Sequence, residues 1–298
     1  MSRPLSIVIA SGAGGSFLFR TLAQLVDQAR EHDAEVIVVD RCGPETRRKL
    51  AAEFPDVRVL APELDHRPSV PELRAIGFDA AQGEIVAVIE EHTRPGPTWV
   101  RTILDSFQPD DAAIGGPIVN DDYARRRDWV VYFSEYSNYM PPWLEGDYPG
   151  LNGANIAYSR AKVLAHRDVL STGWWEAGLH PLLQKDGRFR AIPSLGAYHT
   201  GPFDYGYYLR QRYLLSRVWG ATQRSRVPLS TRLVHLVATP IMPLFLLGRM
   251  AQRVLSKGQL VGQFVLTIPL LLPAVLAYTW GEFLGYLLGA GNALEHVE

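Results

Sequence analysis

Two carboxylates and an imidazole, Glu90-Glu91-His92, follow an apolar run of five, Ile85-Val86-Ala87-Val88-Ile89, and Pro95-Gly96-Pro97 closes the stretch. An apolar run of that length reads as a buried strand, and the prolines forbid its continuation, so charge is delivered to a strand's carboxyl end. In open α/β sheets the crevice beyond those ends is where ligands bind, which makes Glu-X-His there a candidate for metal or nucleotide chemistry. A solvated acidic turn is the alternative. Asp40 ends a second such run, Glu35-Val36-Ile37-Val38-Val39. Its carboxylate could accept from ribose or base donors, or cap the helix that follows.

The elements that must position these groups alternate. Leu5-Ser6-Ile7-Val8-Ile9-Ala10 is a strand, Ser11-Gly12-Ala13-Gly14-Gly15 a glycine turn, and Phe17, Leu18, Leu22, Leu25 and Val26 recur at helical spacing. The Glu35–Asp40 strand, a charged helix to about Phe54 and a short strand at Val57-Arg58-Val59-Leu60 follow. Strands alternating with helices imply a mostly parallel sheet flanked by helices. Gly12-X-Gly14 fits two glycines of the dinucleotide fingerprint, but Phe17 stands where the third belongs and would block close helix packing. That argues against a dinucleotide oxidoreductase.

The net charge of -1 hides an uneven distribution: residues 1–200 carry 21 Lys+Arg against 27 Asp+Glu, residues 201–257 carry 9 against 1, and residues 258–298 carry 0 against 3. A basic segment placed before an apolar one reads as facing anionic lipid at the cytoplasmic side of a membrane, and no nucleic-acid partner is expected. The single Cys42 excludes an internal disulfide and a cysteine zinc cluster. The start Met1-Ser2-Arg3-Pro4 leads into a strand and not into a secretory signal, so attachment to a membrane is expected from the other end.

Further segments carry a resemblance. The acid-ended second strand is followed by Arg74-Ala75-Ile76-Gly77, Ala81-Gln82-Gly83-Glu84, the Ile85–Ile89 strand, the acidic triplet, Pro95 and Trp99. Then come Ala112-Ala113-Ile114-Gly115-Gly116-Pro117, Leu151-Asn152-Gly153-Ala154-Asn155, Trp174-Trp175-Glu176, Leu182-Leu183, Gly187 and Ala197-Tyr198-His199. In this order, over about residues 5–220, they resemble the inverting family 2 glycosyltransferases, which have the Rossmann-like GT-A fold.

The resemblance implies a nucleotide-diphosphate sugar donor, a UDP-sugar for choice, held at Ala10, Ser11, Asp40, Arg74, Glu90 and Glu91, with Asn152 and Asn155 on the sugar side. The family's acidic triplet is usually Asp-X-Asp, and its last carboxylate binds a divalent cation. Here His92 takes that place and His199 would be a second ligand. Imidazole is softer than carboxylate and favours Mn²⁺ over Mg²⁺. A hydrogen-bonded structural role for His92 is the alternative. Counted back from Gly187, Glu176 takes the place of the family's catalytic Asp, and Trp175 that of the acid before it. Glu176 would then be the general base, with Trp174 and Trp175 desolvating it and stacking on the acceptor side. A helix-terminal Glu favoured by the helix dipole is the other reading. Two drifted motifs also allow a catalytically inactive relative that binds a nucleotide sugar or scaffolds a membrane complex. The spacing of Gln211-Arg212-Tyr213 and Arg217-Val218-Trp219 does not match the Gln-X-X-Arg-Trp of processive members, so transfer of one sugar is expected.

Trp129, Tyr132, Phe133, Tyr136 and Met140 lie at helical spacing after Arg125-Arg126-Arg127, as a core stripe or as an interfacial or acceptor-facing surface. The domain division expected is a GT-A domain over 1–225 and a membrane-associated region over 226–298, amphipathic and interfacial to 257, then transmembrane or re-entrant over 258–289. Pro269 and Pro273 are expected to kink the last segment, and a single crossing would leave the acidic tail outside. A lipid or lipid-linked acceptor follows from that placement.

Overall fold

The structure, a computed structural model, describes residues 3–121, 123–170, 175–200 and 204–297, apart from the side chains at 175, 177 and 295. The chain runs β1 (Leu5–Ser11), α1 (Gly15–Glu31), β2 (Glu35–Asp40), α2 (Pro44–Glu53), β3 (Arg58–Leu60), α3 (Val70–Ala80), β4 (Ile85–Ile89), β5 (Thr93–Pro95), α4 (Trp99–Ser106), β6 (Asp111–Gly115) and β7 (Ile118–Asn120). It continues through α5 (Arg126–Tyr136), β8 (Gly146–Asp147), β9 (Asn155–Ser159), α6 (Arg160–Leu164), α7 (Arg167–Leu170), α8 (Trp175–Asp186), β10 (Arg188–Ala191) and β11 (Ala197–His199). Five helices follow: α9 (Tyr205–Arg226), α10 (Leu229–Ala238), α11 (Met242–Lys257), α12 (Val261–Leu288) and α13 (Ala293–His296).

Two compact units result, one of Met1–Asp121 with Tyr139–Thr200, the other of Asp122–Asn138 with Gly201–Glu298. In the sheet unit the main sheet has the order β3-β2-β1-β4-β9-β6-β10-β8. Its first four strands are parallel, β9 runs antiparallel between β4 and β6, and β10 is parallel to β6. Every residue of β1 and β2 is buried, as their unbroken apolar runs require of a sheet covered on both faces. α3 begins at a reciprocal capping box between Ser69 and Glu72. It lies so close to the sheet at Gly77 that a Cβ there would overlap the Val8 side chain. This is the mixed α/β, helix-flanked architecture of the GT-A fold.

A second sheet, β5-β11-β7, sets the register that matters for the site. Thr93 of β5 pairs with His199 of β11, and the Thr200 N–H donates to the His92 carbonyl at 2.9 Å. Two histidines 107 positions apart in the chain are thereby made neighbours.

The helical unit holds α5 and α9 to α13. Trp129, Tyr132, Phe133 and Tyr136 of α5 are buried, and Phe133 meets Phe264 of α12 edge-on at 5.2 Å. The aromatic stripe is therefore core. α9 packs along α12 through small residues: a Cβ on Gly281 would strike Ser216 and Tyr213, and one on Gly285 would strike the Arg217 carbonyl. Both α5 and α9 thus group with the C-terminal helices, ahead of the division at residue 225 expected from composition. α12 is one unbroken helix across Pro269 and Pro273.

Candidate active site

Arg74 is the centre of the site. It projects from α3, its side chain only 5% exposed, and its two terminal nitrogens go to different carboxylates. One Nη donates to Glu90 Oε1 at 3.0 Å and the other to Glu176 Oε1 at 3.2 Å. The planar fork of a guanidinium suits such a bridge, which a lysine's point charge would not reproduce. Glu90 leaves the end of β4 and Glu176 stands in the first turn of α8, so one arginine ties two strand-end and helix-start carboxylates together.

These carboxylates are tuned in opposite directions. Burial would raise the Glu90 carboxyl, but the hydrogen bond and charge of His92, with the charge of Arg74, hold it well below the usual carboxylate range. Burial raises Glu176, against the pull of Arg74 and with help from the Glu90 charge. One group stays ionised while its neighbour is shifted toward the proton affinity that a base requires.

The imidazoles complete the cluster. His92 Nε2 is 3.2 Å from Glu90 Oε2, and the His92 and His199 rings meet edge-to-face at 5.2 Å. Burial, with the His92 charge adding to it and Glu90 opposing, pushes His199 well below the usual imidazole range. A neutral ring is the form that can offer a lone pair to a metal. Among the described residues no three His, Cys, Asp or Glu side chains form a ready-made cage. His92 and His199 are the side chains here that could hold a divalent cation, and two imidazoles would suit Mn²⁺ better than Mg²⁺.

Other expected site residues have different partners. Glu91 turns away from Glu90 and accepts the N–H groups of Gly12 (3.2 Å), Ala13 (2.7 Å) and Gly14 (2.9 Å). It anchors the β1–α1 turn instead of facing a donor, and it uses the amides that a phosphate-cradling glycine loop would need free. Asp40 accepts from Cys42 N at 3.1 Å and Gly43 N at 3.2 Å and pairs with Arg47, so it fixes the turn ahead of α2, whose own N-cap, Gly43, has no side-chain cap. Ala10 and Ser11 end β1 in buried positions, with Ser11 Oγ 3.4 Å from Cys42 Sγ.

Asn155 is fully buried, donates to the Leu195 carbonyl at 2.7 Å and accepts from Trp99 Nε1 at 2.7 Å. It braces β9 against α4 and against the loop at Leu195. Asn152 shapes its own turn through Ala154 N at 2.7 Å. Trp174 and the side chain of Trp175 lie outside the described residues.

Two features escaped sequence reasoning. A Cβ on Gly153 would meet the Glu176 carboxylate, so glycine there lets the 152–154 turn lie on the candidate base without displacing that side chain. The signal was its place inside the Asn152–Asn155 motif. The second is a buried pair, Tyr158 Oη with His180 Nε2 at 2.8 Å, close enough to Glu176 for that charge to join burial in raising the phenol.

Comparison with known proteins gives the family. The Glycosyl transferase family 2 model matches residues 6–166, more than half of the chain. A glucosyl-dolichyl phosphate glucuronosyltransferase of Haloferax volcanii is 30% identical over 152 residues, covering 47% of this chain and 47% of that protein. Chondroitin synthase of Escherichia coli is 31% identical over 116 residues, 38% of this chain and 17% of that one. The chain thus spans less than half the length of these relatives. In fold it is similar to a mannosyltransferase of Pyrobaculum calidifontis solved with GDP-Man and Mn²⁺, at a TM-score of 0.57 and 16% identity over 96% of this chain and 87% of that one. With sheet, strand-end carboxylates and family match in agreement, the chain belongs to glycosyl transferase family 2.

Proposed function

We propose that the chain transfers one sugar from a nucleotide-diphosphate sugar, with UDP-sugars the first candidates, to a lipid or lipid-linked acceptor at the cytoplasmic face of a membrane, with inversion at the anomeric carbon. The observation that carries this reading is the Arg74 bridge between Glu90 and Glu176. It brings an ionised carboxylate and a carboxylate of raised proton affinity together at the ends of β4 and α8. The lipid-linked acceptor draws on the name of the Haloferax relative and on the exposed apolar side chains of α10 to α12.

Glu176 receives the acceptor hydroxyl proton as the new bond forms at the anomeric carbon and the bond to the diphosphate oxygen breaks, its electron pair leaving with the nucleoside diphosphate. Arg74 holds the Glu176 carboxylate in place and Glu90 orients His92. His92 and His199 would hold the divalent cation, which when bound offsets charge on the leaving diphosphate. Asp40, with Cys42 and Gly43 fixed about it, stands where the donor's ribose or base is expected. Trp174 and Trp175 are proposed on the acceptor side.

Thermal-shift screening of the detergent-solubilised chain against nucleotide sugars, with Mn²⁺ or Mg²⁺, tests the reading. The expected result is cation-dependent stabilisation by one nucleotide class, followed by turnover. Stabilisation without turnover for any acceptor would favour the inactive relative, and no stabilisation at all would contradict the proposal.

A further inference from the structure

α12 has 28 residues and is long and apolar enough to cross a bilayer. Its packing partner argues against that course. Contact with α9 runs from the Tyr205 hydroxyl on the Leu270 carbonyl to Arg224 on the Leu287 carbonyl, so the two helices lie side by side and parallel. α9 carries Arg210, Arg212, Arg217, Arg224 and Arg226. Only residues 261–269 of α12 precede this contact, about 14 Å of helix against a hydrocarbon core of about 30 Å. A crossing α12 would draw several arginines into the bilayer, each at a cost of about 2.5–3.5 kcal/mol or more.

The segment after α12 adds a second, independent observation. The chain reverses at Gly289 and Gly291, both of positive φ, and the His296 carbonyl accepts from Gln211 near the start of α9. It therefore doubles back along α9 and does not leave at the far end of α12. Meanwhile the opposite side of α12 is an exposed apolar stripe, Val265, Ile268, Leu272, Leu276 and Trp280, at helical spacing. α10 and α11, bent by 81° from one another, expose Val234, Val237, Leu244 and Phe245 in the same unit. Nine Lys+Arg against one acid over residues 201–257 supply the charge that anionic headgroups attract.

We infer that α10, α11 and α12 form an in-plane anchor whose apolar side chains enter one leaflet of an anionic membrane, with no crossing. The inference rests on the membrane reading above and goes beyond it in topology. The test uses sealed, uniformly oriented membrane vesicles from cells expressing the full chain, with Lys49→Cys or Asn292→Cys and a membrane-impermeant maleimide; the unsubstituted chain, with Cys42, gives the background. The in-plane anchor predicts vesicle-bound protein labelled at both positions from the same side. Labelling from opposite sides would overturn the inference while leaving membrane association intact. Protein found only in the soluble fraction would overturn the membrane reading itself. A second variant, Leu272→Glu with Leu276→Glu, should keep the native circular dichroism and bind phosphatidylcholine–phosphatidylglycerol vesicles at least about tenfold more weakly. Unchanged binding would count against the anchor.

Discussion

In the sheet unit, charge is buried and matched: Arg74 lies between Glu90 and Glu176, and Glu91 is enclosed by three backbone N–H groups. In the helical unit, apolar side chains are exposed and unmatched by protein, Val237 at 79% being the extreme. Both arrangements depart from the ordinary sorting of polar outside and apolar inside, in opposite directions. A departure in the first unit costs stability unless every partner is present, which marks a site. A departure in the second costs solubility unless something covers it, which marks a surface.

Substitutions should therefore act differently in the two regions. Arg74→Met removes the common partner of two carboxylates and is expected to cost about 3 kcal/mol, near the lower end for a broken buried pair because Glu90 and Glu176 keep 25% and 35% exposure. Urea denaturation would measure this, and Arg74→Lys should recover only part of it. Acid should act through His180, which burial lowers from 6.5 to about 4. The unfolded chain binds this proton below pH 6.5 and the native chain does not until about pH 4, so stability falls as pH drops through that window. The loss reaches at most about 3 kcal/mol, and His180→Gln should flatten that part of the pH profile.

A smaller effect is expected at the glycine turn. Glu91→Ala leaves the amides of Gly12, Ala13 and Gly14 without their acceptor, for a cost of about 1–3 kcal/mol and faster hydrogen exchange at those three positions. The smallest belongs to the helical unit. Val237→Ser should change unfolding free energy by no more than about 0.5 kcal/mol, yet lower the partition onto anionic vesicles. A large stability loss there would mean that the exposed face is ordinary core, and the contrast between the two units would fail.

Much of the fold was legible in the sequence because β1, β2 and β4 are unbroken apolar runs ending in polar residues, a pattern set by burial on both faces. The site was legible by residue type more than by role. Glu90 and Glu91 lie just past β4, in a turn closed by the Thr93 N–H on the Glu90 carbonyl, so strand alternation does not reach them and their different partners, Arg74 and the 12–14 amides, come from tertiary contacts. Arg74 was not readable locally either: its partners lie 16 and 102 positions away, and local pattern holds no trace of such pairing. The bonds of Asn155 to Trp99 and to the Leu195 carbonyl span 56 and 40 positions and were equally hidden from local pattern. The grouping of α9 with α12 had a signal in Ser216-X-X-X-Gly220 and Gly281-X-X-X-Gly285, small residues at one-turn spacing that let backbones approach. The inclusion of α5 depends on tertiary contacts alone.

The central claim is that Glu176, braced by Arg74 and lying against Gly153, is the base of a sugar transfer. Its most direct test is the kcat of Glu176→Gln with a nucleotide sugar that the unsubstituted chain turns over, measured beside the Kd for that donor. The account predicts a fall in kcat of about 10²-fold or more with donor affinity nearly unchanged, since the amide keeps the shape and cannot take the proton. A near-normal kcat would contradict it.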